Sequence, residues 1–290
     1  MTKMYNGNYS FEKEQYVDRL MTLSQYAWEN RIDRTIVDRW LENFDCNDDR
    51  IRALEILTKF VYFSENEILR LCEIALQKLL EKIGAINNEK ISINIANLKK
   101  KYLTKCRFFG VGGPSESGTS LLCPFRQRNS LSTSLFPENL SKLDLDTEFV
   151  VFLDDIIATG DTACGFWTKL EHIAFTGKVR FFYLTLLAYA RGKAEVENKT
   201  GFEVIACQMF DNSYSIFSDT SYVFPEKEER TKAKKFAEKY GNKAYSDWPL
   251  GFLNLQCLVG LHDNIPDTTL PIIWAKNGWF PVFERHKKSE

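Results

Sequence analysis

Histidine is rare in this chain, and cysteine is scattered. The 290 residues include three histidines (172, 262 and 286) and seven cysteines (46, 72, 106, 123, 164, 207 and 257). No two cysteines form a CxxC pair, so neither a zinc ribbon nor a thioredoxin-type site is expected. Three dispersed histidines give no triad and no metal cluster. No apolar run approaches the ~18 residues needed to span a bilayer. The opening "MTKMYNGNYS" has no apolar core of a signal peptide, and a cytoplasmic protein with reduced thiols is expected. Net charge is nearly absent too: 38 Lys and Arg against 39 Asp and Glu. No positive field draws in a nucleic acid, so direct nucleic-acid binding is not expected. The Lys99-Lys100-Lys101 run reads as a solvated face.

Apolar and aromatic residues are plentiful, with 22 Phe, 12 Tyr and 6 Trp, enough for a sizeable core. Residues 11–84 read as helices. Ile32, Ile36, Val37, Trp40, Leu41 and Phe44 recur at helical spacing, as do Ile68, Leu71, Cys72, Ala75, Leu76, Leu79, Leu80 and Ile83. Ser64 to Glu67 has the form of a capping box opening the second stripe, and Gly84 is expected to close it. No chemical motif falls here, and a helical packing or partner-binding region is expected for 1–100.

Beyond about residue 103 the pattern becomes strand, loop, helix. Apolar strands are expected in 105–110, 147–153, 178–190 and 202–210. Uniformly apolar strands belong to parallel sheets covered on both faces, so an open α/β sheet with flanking helices is expected over 101–290. Within it, 211–290 reads as an insertion and a C-terminal hood. In such sheets ligands bind beyond the carboxyl ends of the strands.

Two loops carry chemistry. In "VVFLDDIIATGDTA" an apolar strand ending at Leu153 delivers Asp154 and Asp155, then a loop and a helix start. Adjacent acids on a buried edge repel each other and resist desolvation unless a cation or hydroxyls meet them. Strand alternation points the two in different directions. Ala158, Thr159, Gly160, Asp161 and Thr162 then reach a helix N-terminus, where backbone N–H groups and the dipole favour a phosphate. The pattern suits a sugar bearing a phosphate. The earlier loop "FFGVGGPSESGTS" offers Gly112, Gly113, Ser115, Ser117 and Gly118 for backbone and hydroxyl contacts to an anion. A dehalogenase DxDxT is excluded because Ile156 stands two after Asp154, and a Walker A loop because no Gly-Lys-Ser/Thr occurs.

This stretch resembles the phosphoribosyl pyrophosphate (PRPP) motif of type I phosphoribosyltransferases. Val150 to Leu153 match its strand, Asp154 and Asp155 its acids, and Thr159, Gly160 and Thr162 its phosphate loop. The 112–118 loop stands where the family holds pyrophosphate, although Pro114 and Glu116 depart from the usual short form. The ending "HDNIPDTTLPIIW" adds a resemblance to the phosphoribosyltransferase-like group of bacterial conflict and phage-defence systems, some of them retron-linked. The resemblance implies that Asp154 and Asp155 are the catalytic acids and metal ligands for Mg²⁺. It implies pyrophosphate release, with Arg126 and Arg128 as a mobile basic cover. It makes Asn264 and Asp267, with His262, candidates for reading a second substrate, whereas the residues alone read as a Pro-interrupted turn. Trp274 and Trp279 are candidates to stack on a base, though core packing suits each better. Expected partners are PRPP or a nucleotide and a defence-system protein or ribonucleoprotein, with no membrane. Two other readings stay open: a non-catalytic nucleotide sensor and a protein-interaction module.

Overall fold

The computed structural model describes residues 2–89, 94–112, 117–170 and 179–285. In chain order the elements are α1 (Thr2–Tyr26), α2 (Arg34–Leu41), α3 (Asn47–Leu57), β1 (Val61–Phe63), α4 (Glu65–Ile86), α5 (Ile95–Tyr102), β2 (Cys106–Gly110) and α6 (Ser117–Arg128). There follow β3 (Phe149–Ile157), α7 (Asp161–Leu170), β4 (Arg180–Tyr189), α8 (Ala190–Lys199), β5 (Glu203–Phe210), α9 (Lys227–Ala244), β6 (Val259–Leu261) and α10 (Pro271–Trp274). The chain divides into two compact units, one ending at Glu65 and resuming at Asn212, the other running from Asn66 to Asp211. No described helix is long and apolar enough to cross a membrane.

The first unit is mainly helical. Its core gathers Trp40, Phe44, Leu54, Phe236, Tyr240, Ile272 and Trp279, all buried. Phe44 is the hub: the rings of Tyr240, Trp40 and Trp279 meet it edge-on at 4.8, 5.1 and 5.5 Å. The indoles of Trp40 and Trp279 both donate to the Ile272 carbonyl, at 2.7 and 3.0 Å. The polar tip of each tryptophan is thereby satisfied inside the core. Short strands β1 and β6 pair in parallel.

The second unit is the α/β sheet expected from the apolar runs. Four strands lie in the order β2-β3-β4-β5, all parallel. One face carries Phe152, Tyr183, Phe202 and Val204, packed with Ala163 and Leu170 of α7 and Val196 of α8. The other face meets α6, through Phe108 and Phe125 at 5.3 Å, and α4, through the Cys207 thiol on the Leu71 carbonyl. Burial on both faces is why these strands read as continuous apolar runs instead of alternating ones. On β5, Lys78 donates to the carbonyls of Ala206 and Cys207 at 3.0 and 3.1 Å, putting a charge beside this edge strand.

Gly84 does not close α4. The helix runs to Ile86, and Asn88 takes the left-handed conformation with φ 57°. The Asn88 amide donates to the Ala85 carbonyl and the Glu89 amide to that of Gly84, which is a Schellman cap. Gly84 serves packing instead: a Cβ there would stand 2.9 Å from Leu98 of α5.

Candidate functional site

Strand β3 extends beyond Leu153. β4 is long enough to continue the pairing, so Asp154 lies opposite Thr185 and Ile157 opposite Ala188. β2 stops sooner, with Gly110 opposite Leu153. Past that point the Asp155 amide turns to the Asp154 carboxylate, Oδ1 at 3.0 Å, and the Ile156 amide to Asp155 Oδ1 at 2.8 Å. The acids therefore stand in the last residues of the strand, just beyond its pairing with β2. Alternation sends Asp154 to the face of Phe152 and Tyr183, and Asp155 to the face of α6.

Both acids are 94% removed from solvent. Asp154 Oδ2 accepts a hydrogen bond from the Tyr183 hydroxyl at 2.6 Å. Burial pushes the Asp154 carboxyl well above the usual carboxylate range, and the neighbouring charge of Asp155 adds to that rise, while the Tyr183 bond opposes it. Burial and the Asp154 charge likewise raise the Tyr183 phenol. An acid held this way costs stability in the free protein. It is the kind of group that marks a functional site.

The phosphate-type loop follows directly. Gly160 has φ 92°, and a Cβ on it would lie 2.9 Å from the Gly192 carbonyl. Conversely, a Cβ on Gly192 would lie 2.3 Å from the Ala158 carbonyl. Two glycines thus let the 158–160 loop lie against the first turn of α8. Thr159 Oγ1 accepts from the Asp161 amide at 3.3 Å and donates to the Asp161 carboxylate at 3.0 Å. Asp161 opens α7, where its charge complements the helix dipole. Thr162 follows it, exposed, in the same first turn.

The first loop leaves β2 next door. Gly112 has φ 93°. Gly113, Ser115 and the deviant Pro114 and Glu116 lie outside the described residues. Ser117 opens α6, and a Cβ on Gly118 would lie 2.6 Å from both the Leu153 and Val111 carbonyls. The start of α6 is therefore pressed against the ends of β2 and β3, one residue from the acid pair.

The remaining candidates belong to other elements. Arg126 and Arg128 sit in the last turn of α6, roughly 15 Å along the axis from its start at about 1.5 Å per residue. Arg128 pairs there with Glu73 of α4 at 2.9 Å. Asn264 and Asp267 belong to the first unit. The Asn264 carbonyl accepts from the Leu261 amide, and Asp267 accepts from Arg285 at 3.2 Å. His262 lies 2.8 Å from Glu29, and ligating atoms of Glu29, Glu65 and His262 fall within 4.8 Å of one another. The Arg31 guanidinium stands 3.1 Å from the same imidazole nitrogen. Trp274 and Trp279 are core residues. Of the lysine run, Lys99 donates to the Asn129 carbonyl and Lys101 pairs with Glu89.

A family model described as PRTase-CE matches residues 37–285. The chain belongs to the PRTase-CE family. No curated protein matches it. As a PRTase-CE member it is a phosphoribosyltransferase-like protein, and its parallel sheet with flanking helices fits that fold. In this PRTase-CE chain, Tyr183 and Gly192 have no signal in the sequence. Both lie about 30 residues from the groups they touch, in segments that read only as an apolar strand and an ordinary helix.

Proposed function

We propose that the sheet-bearing unit binds PRPP, or another nucleotide carrying ribose 5-phosphate, at the carboxyl edge of β3. There it transfers the phosphoribosyl group to an acceptor and releases pyrophosphate. One observation carries the reading: the start of α6, the acid pair and the 158–162 loop converge where β2 ends beside β3. Membership in the PRTase-CE family supports it.

In this reading the amides of Ala158 to Thr162, at the N-terminus of α7, hold the 5′-phosphate, with the Thr159 and Thr162 hydroxyls as added donors. The Thr159 hydroxyl turns from Asp161 to the phosphate when it binds. Asp154 and Asp155 orient the ribose hydroxyls. Backbone at Gly112 and Gly118 faces the pyrophosphate, with Gly113, Ser115 and Ser117 completing that loop. The bond from the anomeric carbon to a pyrophosphate oxygen breaks, and the acceptor bonds to the same carbon. The protein contributes position and charge. The donor set suits a hard cation: two adjacent, buried carboxylates at the end of β3. Asp154 and Asp155 would hold Mg²⁺, which when bound neutralises charge on the leaving pyrophosphate. A role in antiphage defence, alongside a protein or ribonucleoprotein partner, is part of the same proposal and rests on the resemblance of the C-terminal segment.

Phosphorus NMR tests it. The protein is incubated with PRPP, Mg²⁺ and mixed nucleobases or nucleotides. Pyrophosphate release that disappears in Asp154→Asn/Asp155→Asn is expected. PRPP binding without release, lost in Gly160→Val, would reassign the protein as a sensor. Neither binding nor release would refute the ligand reading and leave an interaction module.

A further inference from the structure

Tyr183 is fully buried among Phe152, Ala163, Val196 and Phe202, with its ring 5.3 Å from that of Phe202. Phenylalanine would fill this space without bringing in a hydroxyl that must be desolvated, a cost met only if the hydroxyl finds a partner. The partner is Asp154 at 2.6 Å. The geometry follows from sheet register. Tyr183 lies opposite Phe152, two positions before the Asp154–Thr185 pair and on the same face. A diagonal neighbour at that offset is within reach of a tyrosine ring and not of a smaller side chain.

We infer that Tyr183 is a positioning residue for the ribose site: its hydroxyl fixes the Asp154 carboxylate so that the free lone pairs face the sugar hydroxyls. This rests on the reading of β3 as a ribose 5-phosphate site. Both oxygens of the Asp154 carboxylate are held, and the Asp155 side chain bonds the group as well. Oδ1 takes the Asp155 amide and Oδ2 takes Tyr183. Without Tyr183, Oδ2 loses its donor, and the last torsion of the carboxylate, which is broad and soft, is less constrained. With both oxygens held, its plane is set before a ligand arrives. The backbone amide is present whatever the sequence. Tyr183 is thus the neutral side-chain donor on Oδ2, at a position where phenylalanine would pack as well.

The test is calorimetric binding with Tyr183→Phe, which keeps the ring and its packing and removes only the donor. Wild type, Tyr183→Phe and Asp154→Asn are each titrated with Mg²⁺-PRPP, ribose 5-phosphate and inorganic pyrophosphate, with far-UV circular dichroism confirming the fold. Tyr183→Phe should weaken PRPP and ribose 5-phosphate about tenfold, the size of a charge-assisted hydrogen bond, and leave inorganic pyrophosphate unchanged. Equal weakening of all three ligands would mean a general packing role and overturn the inference. Affinities equal to wild type, while Asp154→Asn loses PRPP, would overturn it and leave the ribose site standing. Failure of the wild-type protein to bind PRPP would remove the site and the inference with it.

Discussion

Gly192→Ala brings together two effects of opposite sign. Gly192 lies inside α8, where alanine is favoured over glycine by about 1 kcal/mol. The new Cβ, however, would stand 2.3 Å from the Ala158 carbonyl oxygen, 2.8 Å from its carbon and 3.0 Å from Ile157 Cγ2. Two of these three atoms are backbone, so no rotamer change relieves the overlap. Overpacking of this kind costs about 3 kcal/mol at the upper end of its range. The clash therefore wins, and a net loss of about 2 kcal/mol is expected. At a slope near 2 kcal/mol per molar urea, the unfolding midpoint falls by about 1 M. Hydrogen exchange should locate the loss in peptides covering β3 and β4. The displaced atoms are those of the 158–160 loop, so PRPP affinity should fall as well. Gly165→Ala is the control. That glycine is also helical, in α7, but a Cβ there meets nothing within 4 Å. It should raise stability by up to about 1 kcal/mol. If Gly192→Ala proved as stable as Gly165→Ala, the close seating of the 158–160 loop on α8 would be wrong.

Asn88→Ala should cost about 1 kcal/mol in chemical denaturation, because alanine tolerates the left-handed C′ position of α4 less well than asparagine; an unchanged midpoint would discount the cap. Lys243 and Lys239 pull the Asp45 carboxyl down to about 2 from 3.8. A depressed acid contributes stability above its unfolded value and loses it as pH falls through the folded one, so this contribution should fade between about pH 4 and 2. Asp45→Asn should flatten that part of the stability–pH curve, and an identical curve would argue against the Asp45–lysine cluster. Burial pushes the thiols of Cys72, Cys106 and Cys207 up to about 12. Iodoacetamide at pH 8 should modify the exposed Cys46 and Cys123 first by peptide mass spectrometry; early labelling of the buried three would contradict the packing.

Much of the candidate site is legible in the sequence because its signals are local. Leu153-Asp154-Asp155 joins an apolar run to paired acids, and Thr159 to Thr162 places glycine and hydroxyls at a helix start. Both survive as adjacent features of one β–loop–α unit. The strand boundary was off by four residues because its true end depends on β4, which continues the pairing through Ala188. Strands β1 and β6 were invisible: three residues carry no readable period, and their pairing joins Val61 to Val259. The charge of Arg126 and Arg128 shows in the sequence, whereas their position in the last turn of α6 and the pairing of Arg128 with Glu73 do not. Tyr183 had no local signal. Its role depends on register with β3, which no short window of sequence contains.

Binding at the carboxyl edge of β3 is measured most directly as the affinity of the wild-type protein for PRPP with Mg²⁺ by isothermal titration calorimetry, set against the Asp154→Asn/Asp155→Asn variant and Gly160→Val. Saturable binding to the wild type is expected, lost in both variants while they keep the wild-type fold. Binding undiminished in the double variant, or none to the wild type, would contradict it.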